Sequence, residues 1–135
     1  MNRIERYGLI GDMQTRAHAA ADGSLDWLCL PRFDSAAVFA ALFGTQKHGA
    51  RHITPTTDAA VVGPTAAAER RHRGDSLVLE SGRRTLRGTA RVIGFMPPRD
   101  RATQVIRIVK GVAGEVPMAS TPHPRPGVST ILTRF

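Results

Sequence analysis

"DGSLDWLCLPRFDS", residues 22–35, decides how the chain folds. Asp22-Gly23 is a strong hairpin signal, because a tight turn needs residues that tolerate positive φ. Leu25 to Leu30 then reads as a mostly apolar strand. Simple alternation places Leu25, Trp27 and Cys29 on one face and Asp26, Leu28 and Leu30 on the other. Pro31 stops pairing on that strand. Asp34-Ser35 offers an N-cap for a short helix over Ala36 to Phe43, with Gly44 where a C-terminal glycine belongs. Val38, Phe39, Leu42 and Phe43 give that helix an apolar stripe, and its shortness obliges it to pack against a larger body.

Upstream, Tyr7 to Ile10 followed by Gly11-Asp12 reads as a strand ending in a turn. Downstream, 54–68 is rich in Thr, Pro and Ala and reads as an irregular connection around a short strand. Glu69 to Arg73, Ser76 to Ser81, Thr89 to Met96 and Gln104 to Val109 follow, each bounded by Gly, Pro or Asp. In the last, Val105, Arg107 and Val109 alternate with Gln104, Ile106 and Ile108. Short strands at this spacing predict an all-β fold, an antiparallel β-sandwich with one short helix near 35–43. Residues 1–118 form the sandwich portion. Residues 119–135, ASTPHPRPGVSTILTRF, read as a Pro-rich, disordered extension.

The net charge of +8 is spread over many short arginine runs. With aromatics at only 5%, few side chains are available to stack on bases, so a solvated basic surface is favoured over a nucleic-acid site. A small basic protein that binds nucleic acid or another anionic partner is the alternative. A single cysteine, Cys29, excludes an internal disulfide and fits a reducing, cytoplasmic setting. No leader-like apolar run opens the sequence, and none approaches the roughly 20 residues that span a bilayer, so no membrane partner is expected.

Four aspartates, Asp12, Asp22, Asp26 and Asp34, crowd the first quarter of the chain. Paired carboxylates can perform acid/base chemistry, but Asp22 is explained by its turn and Asp34 by its cap, and Asp26 lies on the strand face opposite Trp27. Cys29 lacks an activating neighbour and reads as a small buried group. His48 and His52 are spaced i, i+4, but Gly49 argues against a helix there, and no metal site is expected. Gly8-x-x-Gly11 lacks the lysine and the following helix of a phosphate loop. The residues offer no self-sufficient catalytic set and call for no cofactor.

IERYGLIGDMQT and DGSLDWLCLPRFDSAAVFAALFG, followed in order by RGDSLVLES, GTARVIGFMPPRD and VIRIVKGVAGEVPM, resemble the opening of bacterial glycoside hydrolase family 15 proteins. These are glucoamylase-like and trehalase-like enzymes, and the likeness covers about Ile4 to Met118. It implies an N-terminal β-sandwich domain, which in such enzymes is followed by a linker and a barrel of paired helices. That barrel carries two catalytic glutamates, acid and base, for inverting hydrolysis of α-glucosidic bonds. Glu5, Glu69, Glu80 and Glu115 match no catalytic motif, so the chain is expected to be a truncated, non-catalytic domain, inactive alone. An α-glucoside, trehalose or a glucan, would be bound only by the full-length relatives. Arg16 and His18 stand where the family usually has apolar residues. Asp26, Arg32 and Phe33 have no local structural need, and the resemblance implies that they face the barrel or the sugar-binding mouth. An internal Asp–Arg bridge is the competing account. Unpaired edges along Leu77 to Leu79 and Val105 to Val109 would favour self-association.

Overall fold

The computed structural model describes residues 3–43, 49–56 and 69–123. The elements in order are a 3₁₀ turn over Ile4–Arg6, then strands β1 (Tyr7–Gly11), β2 (Arg16–Ala20), β3 (Ser24–Cys29) and β4 (Ala37–Phe39). A 3₁₀ turn over Ala41–Phe43 follows, then β5 (Ala50–Pro55), β6 (Arg70–His72), β7 (Leu79–Arg84), β8 (Gly88–Phe95), β9 (Ile106–Gly114) and β10 (Met118–His123). One sheet runs β1-β2-β3-β5-β10, with β4 paired to β3; the other is a meander, β6-β7-β8-β9. All pairings are antiparallel. The all-β sandwich expected from the sequence is present. Among the described residues, no helix is long and apolar enough to cross a membrane.

The predicted hairpin turn forms as read. The Asp22 carboxylate accepts from the Ser24 amide at 3.0 Å and the Ser24 hydroxyl at 2.7 Å, and the Gly23 amide bonds to the Ala20 carbonyl at 3.1 Å. Gly23 has φ +91, and a Cβ there would lie 2.6 Å from Arg83 Nη2 and 2.7 Å from the Ile53 carbonyl oxygen. Conformation and space both demand glycine.

The alternation expected along β3 is corrected by a bulge. His18 opposes Trp27 and Ala19 opposes Leu25, which leaves Asp26 as the extra residue on β3. The parity of the strand therefore reverses at Asp26. Leu25 and Leu28 both enter the core, while Trp27, expected beside Leu25, is half-buried opposite His18 on the outer face.

Two further expectations change. The short helix predicted over Ala36 to Phe43 is absent: Ala37–Phe39 is a strand, with Phe39 opposite Leu28 and Ala37 opposite Cys29, and Ala41–Phe43 is a single 3₁₀ turn. Val38 and Phe39 prefer a pleated, half-buried surface, and a helix of two turns gains too little from its own hydrogen bonds to compete. Pairing buries Phe39 to 1% exposure, in the core with Leu28 and Val38. Ser35 caps no helix; its hydroxyl accepts from the Arg32 amide at 3.0 Å and closes a turn. The extension expected from residue 119 begins instead as β10, paired along the length of β5. Pro122 fits there because β10 ends the sheet path, where a missing amide is tolerated. Gly44 and His48, much of the irregular connection, and residues 124–135 lie outside the described residues.

The interior has two halves. Ile10, Ala17, Ala19, Leu25, Leu28, Val38 and Phe39 of the first sheet meet Leu79 of the second and Met96, just beyond β8. Gly8 lets the sheets approach, since a Cβ there would lie 2.7 Å from a Leu79 methyl carbon. Beyond this apolar half, beside buried Ile53, Ala90 and Val92, three basic side chains are buried: Arg51, Arg83 and Arg107 are 5%, 4% and 7% exposed. At the β1 edge, Arg70 and His72 reach across from β6 to the carbonyls of Arg6 and Leu9.

Candidate functional site

Three loops lock together at one end of the sandwich. The first joins β1 to β2 and is organised by Asp12. Its carboxylate accepts from the amides of Gln14 at 3.0 Å and Thr15 at 2.9 Å, and the Asp12 amide bonds to the Thr15 carbonyl at 3.2 Å. This turn holds Met13 at φ +72, a conformation non-glycine residues seldom adopt, with its side chain 86% exposed. The second loop, after β3, is tied on through the Phe33 amide, which bonds to the Gln14 carbonyl at 3.2 Å. The Thr15 hydroxyl reinforces it by donating to the Cys29 carbonyl at 2.6 Å. The third, after β8, contributes Arg99. It donates to Asp12 at 2.9 Å and to the Gln14 side-chain oxygen at 3.2 Å.

Electrostatics hold this knot together. The Asp12 side chain is 1% exposed and that of Arg99 11%, with a second contact between them of 2.8 Å. Burial alone would raise the Asp12 pKa. The Thr15 and Gln14 amides and the Arg99 guanidinium outweigh that push and hold it below its ordinary value. Outside the knot stands a rim: Met13, Phe33 at 54% exposure, Arg16 with its guanidinium 5.7 Å from the Phe33 ring centre, and an Arg32–Asp34 ion pair at 3.2 Å. An exposed methionine and an aromatic ring flanked by two arginines suit a partner surface that is part apolar and part acidic.

The three residues singled out from sequence divide. Arg32 and Phe33 lie together on this rim. Asp26 is buried at the β3 bulge, where its carboxylate accepts from the Tyr7 hydroxyl at 2.7 Å. Tyr7 in turn lies beside His18, ring centres 6.1 Å apart. Arg32 pairs not with Asp26 but with Asp34, exposed and two residues away, so its ion pair is a surface contact rather than an internal bridge. The pairing of Asp12 with Arg99 is not visible in the sequence. Asp12 carries a local signal, an aspartate whose side chain can cap the amides two and three residues on. Arg99 carries none, because its partner is distant in the chain.

Glu80 is engaged as well. Glu80 on β7 is buried among Arg73, Arg71 at 3.5 Å and Arg91 at 4.0 Å, and hydrogen bonding from Arg73 lowers its pKa. Burial pushes the Cys29 thiol up, away from the reactive thiolate. Among the described residues, no group of three His, Cys, Asp or Glu side chains could hold a metal ion.

Against known proteins, the family described as "Trehalase-like, N-terminal" matches residues 1–135. A trehalase of Thermoplasma volcanium is 41% identical over 58 residues, covering 42% of this chain and 9% of that protein. A trehalase of Mycolicibacterium smegmatis is 36% identical over 78 residues, covering 58% of this chain and 11% of that protein. The chain thus spans about a tenth of the length of the curated relatives it matches. No solved structure matches.

Proposed function

The chain belongs to the trehalase-like N-terminal family, and from that membership we propose that it is the non-catalytic β-sandwich domain of a glycoside hydrolase of the family 15, trehalase- or glucoamylase-like type. The observation that carries this reading is the family match over the whole chain. The geometry supports it. Asp12 is bound to Arg99, Asp26 to Tyr7 and Glu80 to its arginines, so these buried carboxylates already serve the fold. Inverting hydrolysis needs two carboxylic groups roughly 6.5–9.5 Å apart around a substrate and its water. The domain alone does not hydrolyse α-glucosides; trehalose or an α-glucan is the substrate of a catalytic domain that works beside it.

In this reading the rim of Met13, Phe33, Arg16 and Arg32 is the face turned toward that catalytic domain or its sugar-binding mouth. Asp26 lies apart from this rim, at the β3 bulge, where its carboxylate accepts from Tyr7. Cys29, buried and unbridged, suits a cytoplasmic setting.

The test is glucose release from trehalose, maltose and starch by the purified chain. No release above a buffer control is expected, and turnover proportional to protein concentration would overturn the reading.

A further inference from the structure

The basic half of the interior is built from both sheets. Arg51 comes from β5, Arg83 from β7 and Arg107 from β9, and two of these side chains converge on the Asp22–Gly23 turn. Arg107 Nη2 donates to the Gly23 carbonyl at 2.7 Å, and Arg83 Nη2 occupies the space against the Gly23 Cα. Arg51 lies opposite Leu25, two residues along β3. Their cross-strand neighbours on the second sheet are small: Ala90 opposes Arg83 and Gly94 opposes Arg107.

Among the described residues, cations outnumber acids in this layer. Asp22 is the acidic group whose field reaches both Arg83 and Arg107, and its carboxylate already accepts twice from Ser24. Arg51 Nη1, Arg83 Nε and Nη2, and Arg107 Nη1 are fully buried and have no hydrogen-bond acceptor among the described residues. Burial, with the fields of Arg83 and Arg51, brings the Arg107 pKa down to about 10. Buried cations with orphaned donors cost heavily unless an anion shares them. A guanidinium presents parallel donors that match two oxygens at once, a geometry that a spherical halide cannot exploit.

We propose that Arg51, Arg83 and Arg107 form an internal binding site, beside the Asp22–Gly23 turn, for a compact oxyanion with at least two acceptor oxygens. The thermal midpoint of the full chain is followed by circular dichroism against sodium sulfate and sodium malonate between about 0.1 and 20 mM, with chloride holding ionic strength constant. A saturable rise of roughly 5 °C is expected with at least one of the two. General salting-out stabilisation grows without saturating in this range. The stronger response assigns the site to tetrahedral or to carboxylate oxyanions. Arg51→Met and Arg107→Met should both abolish the response. In chloride alone Arg51→Met should melt no lower than wild type, because it removes a buried charge with an orphaned donor, whereas Arg107→Met also strips the Gly23 carbonyl of its donor and should melt lower. Arg51→Lys, which keeps the charge but loses the fork, should weaken half-saturation about tenfold. Exposed Arg84→Met should respond as wild type. No saturable response in wild type, or an undiminished one in both methionine variants, overturns the proposal.

Discussion

Arg99→Ala should be among the most damaging substitutions outside the apolar core. Arg99 makes two contacts with the Asp12 carboxylate, at 2.9 and 2.8 Å, and one with Gln14 at 3.2 Å. Its removal leaves Asp12, 1% exposed, with only the Thr15 and Gln14 amides. Breaking one side of a buried pair typically costs about 3–5 kcal/mol, and the two retained amides reduce that to about 2–4 kcal/mol here. A domain of this size has about 5–15 kcal/mol in total. Asp12→Asn keeps an acceptor for the amides and should cost less, about 1–2 kcal/mol. The double variant should cost less than the sum of the singles, because Arg99 is already unpaired once Asp12 is neutral.

The pH dependence should report the same pair. The folded-state pKa of Asp12 lies below its ordinary 3.8, so its stabilisation is present above that value and disappears as pH falls through the lower folded pKa. Without Arg99, the upward push of burial meets less opposition and the acid limb should move to higher pH. Urea unfolding from pH 7 downward, followed by the fluorescence of Trp27, gives both quantities. A loss under about 0.5 kcal/mol in Arg99→Ala, or strict additivity in the double variant, would refute the account of the knot.

Phe39→Ala should cost about 3–5 kcal/mol in urea unfolding, since it empties a fully buried core position; half-buried Trp27→Ala should cost clearly less, and the reverse order would place the bulge parity wrongly. His18 has a folded pKa below its ordinary 6.5, chiefly because burial disfavours the charged ring and secondarily because Arg16 lies near. The unfolded chain therefore takes up a proton that the folded chain refuses, and stability should fall as pH drops below about 6.5. The thermal midpoint of His18→Gln should lack that inflection.

The fold was legible wherever a local signal agreed with tertiary demand. Asp22-Gly23 specified its turn, and the Gly- and Pro-bounded runs gave β6 to β9. Alternation failed along β3 because a bulge is invisible in a single strand; it exists only in the register against β2. The segment at Val38 and Phe39 carries both a helical stripe and a strand composition, and only the exposed edge of β3 decides between them. At the site, Phe33 and Arg32 stood out because no turn or cap needed them, whereas Arg99 was hidden by its distance from Asp12. Arg107 sits between Val105 and Val109 on an alternating strand, a hint of burial that arginine's strong general preference for the surface opposes.

The path of the chain between the sheets orders its assembly in time. It leaves the first sheet after β5, builds the whole second sheet, and only then returns to lay β10 on β5. The β6–β9 meander closes through neighbouring hairpins, each needing only a short loop to find its partner. Pairing of β5 with β10 requires the ends of a far longer loop to meet, so it should form late. Until it does, β5 offers a bare row of amides and carbonyls to any extended chain nearby. During synthesis, that interval is when a second nascent copy could take the place of β10.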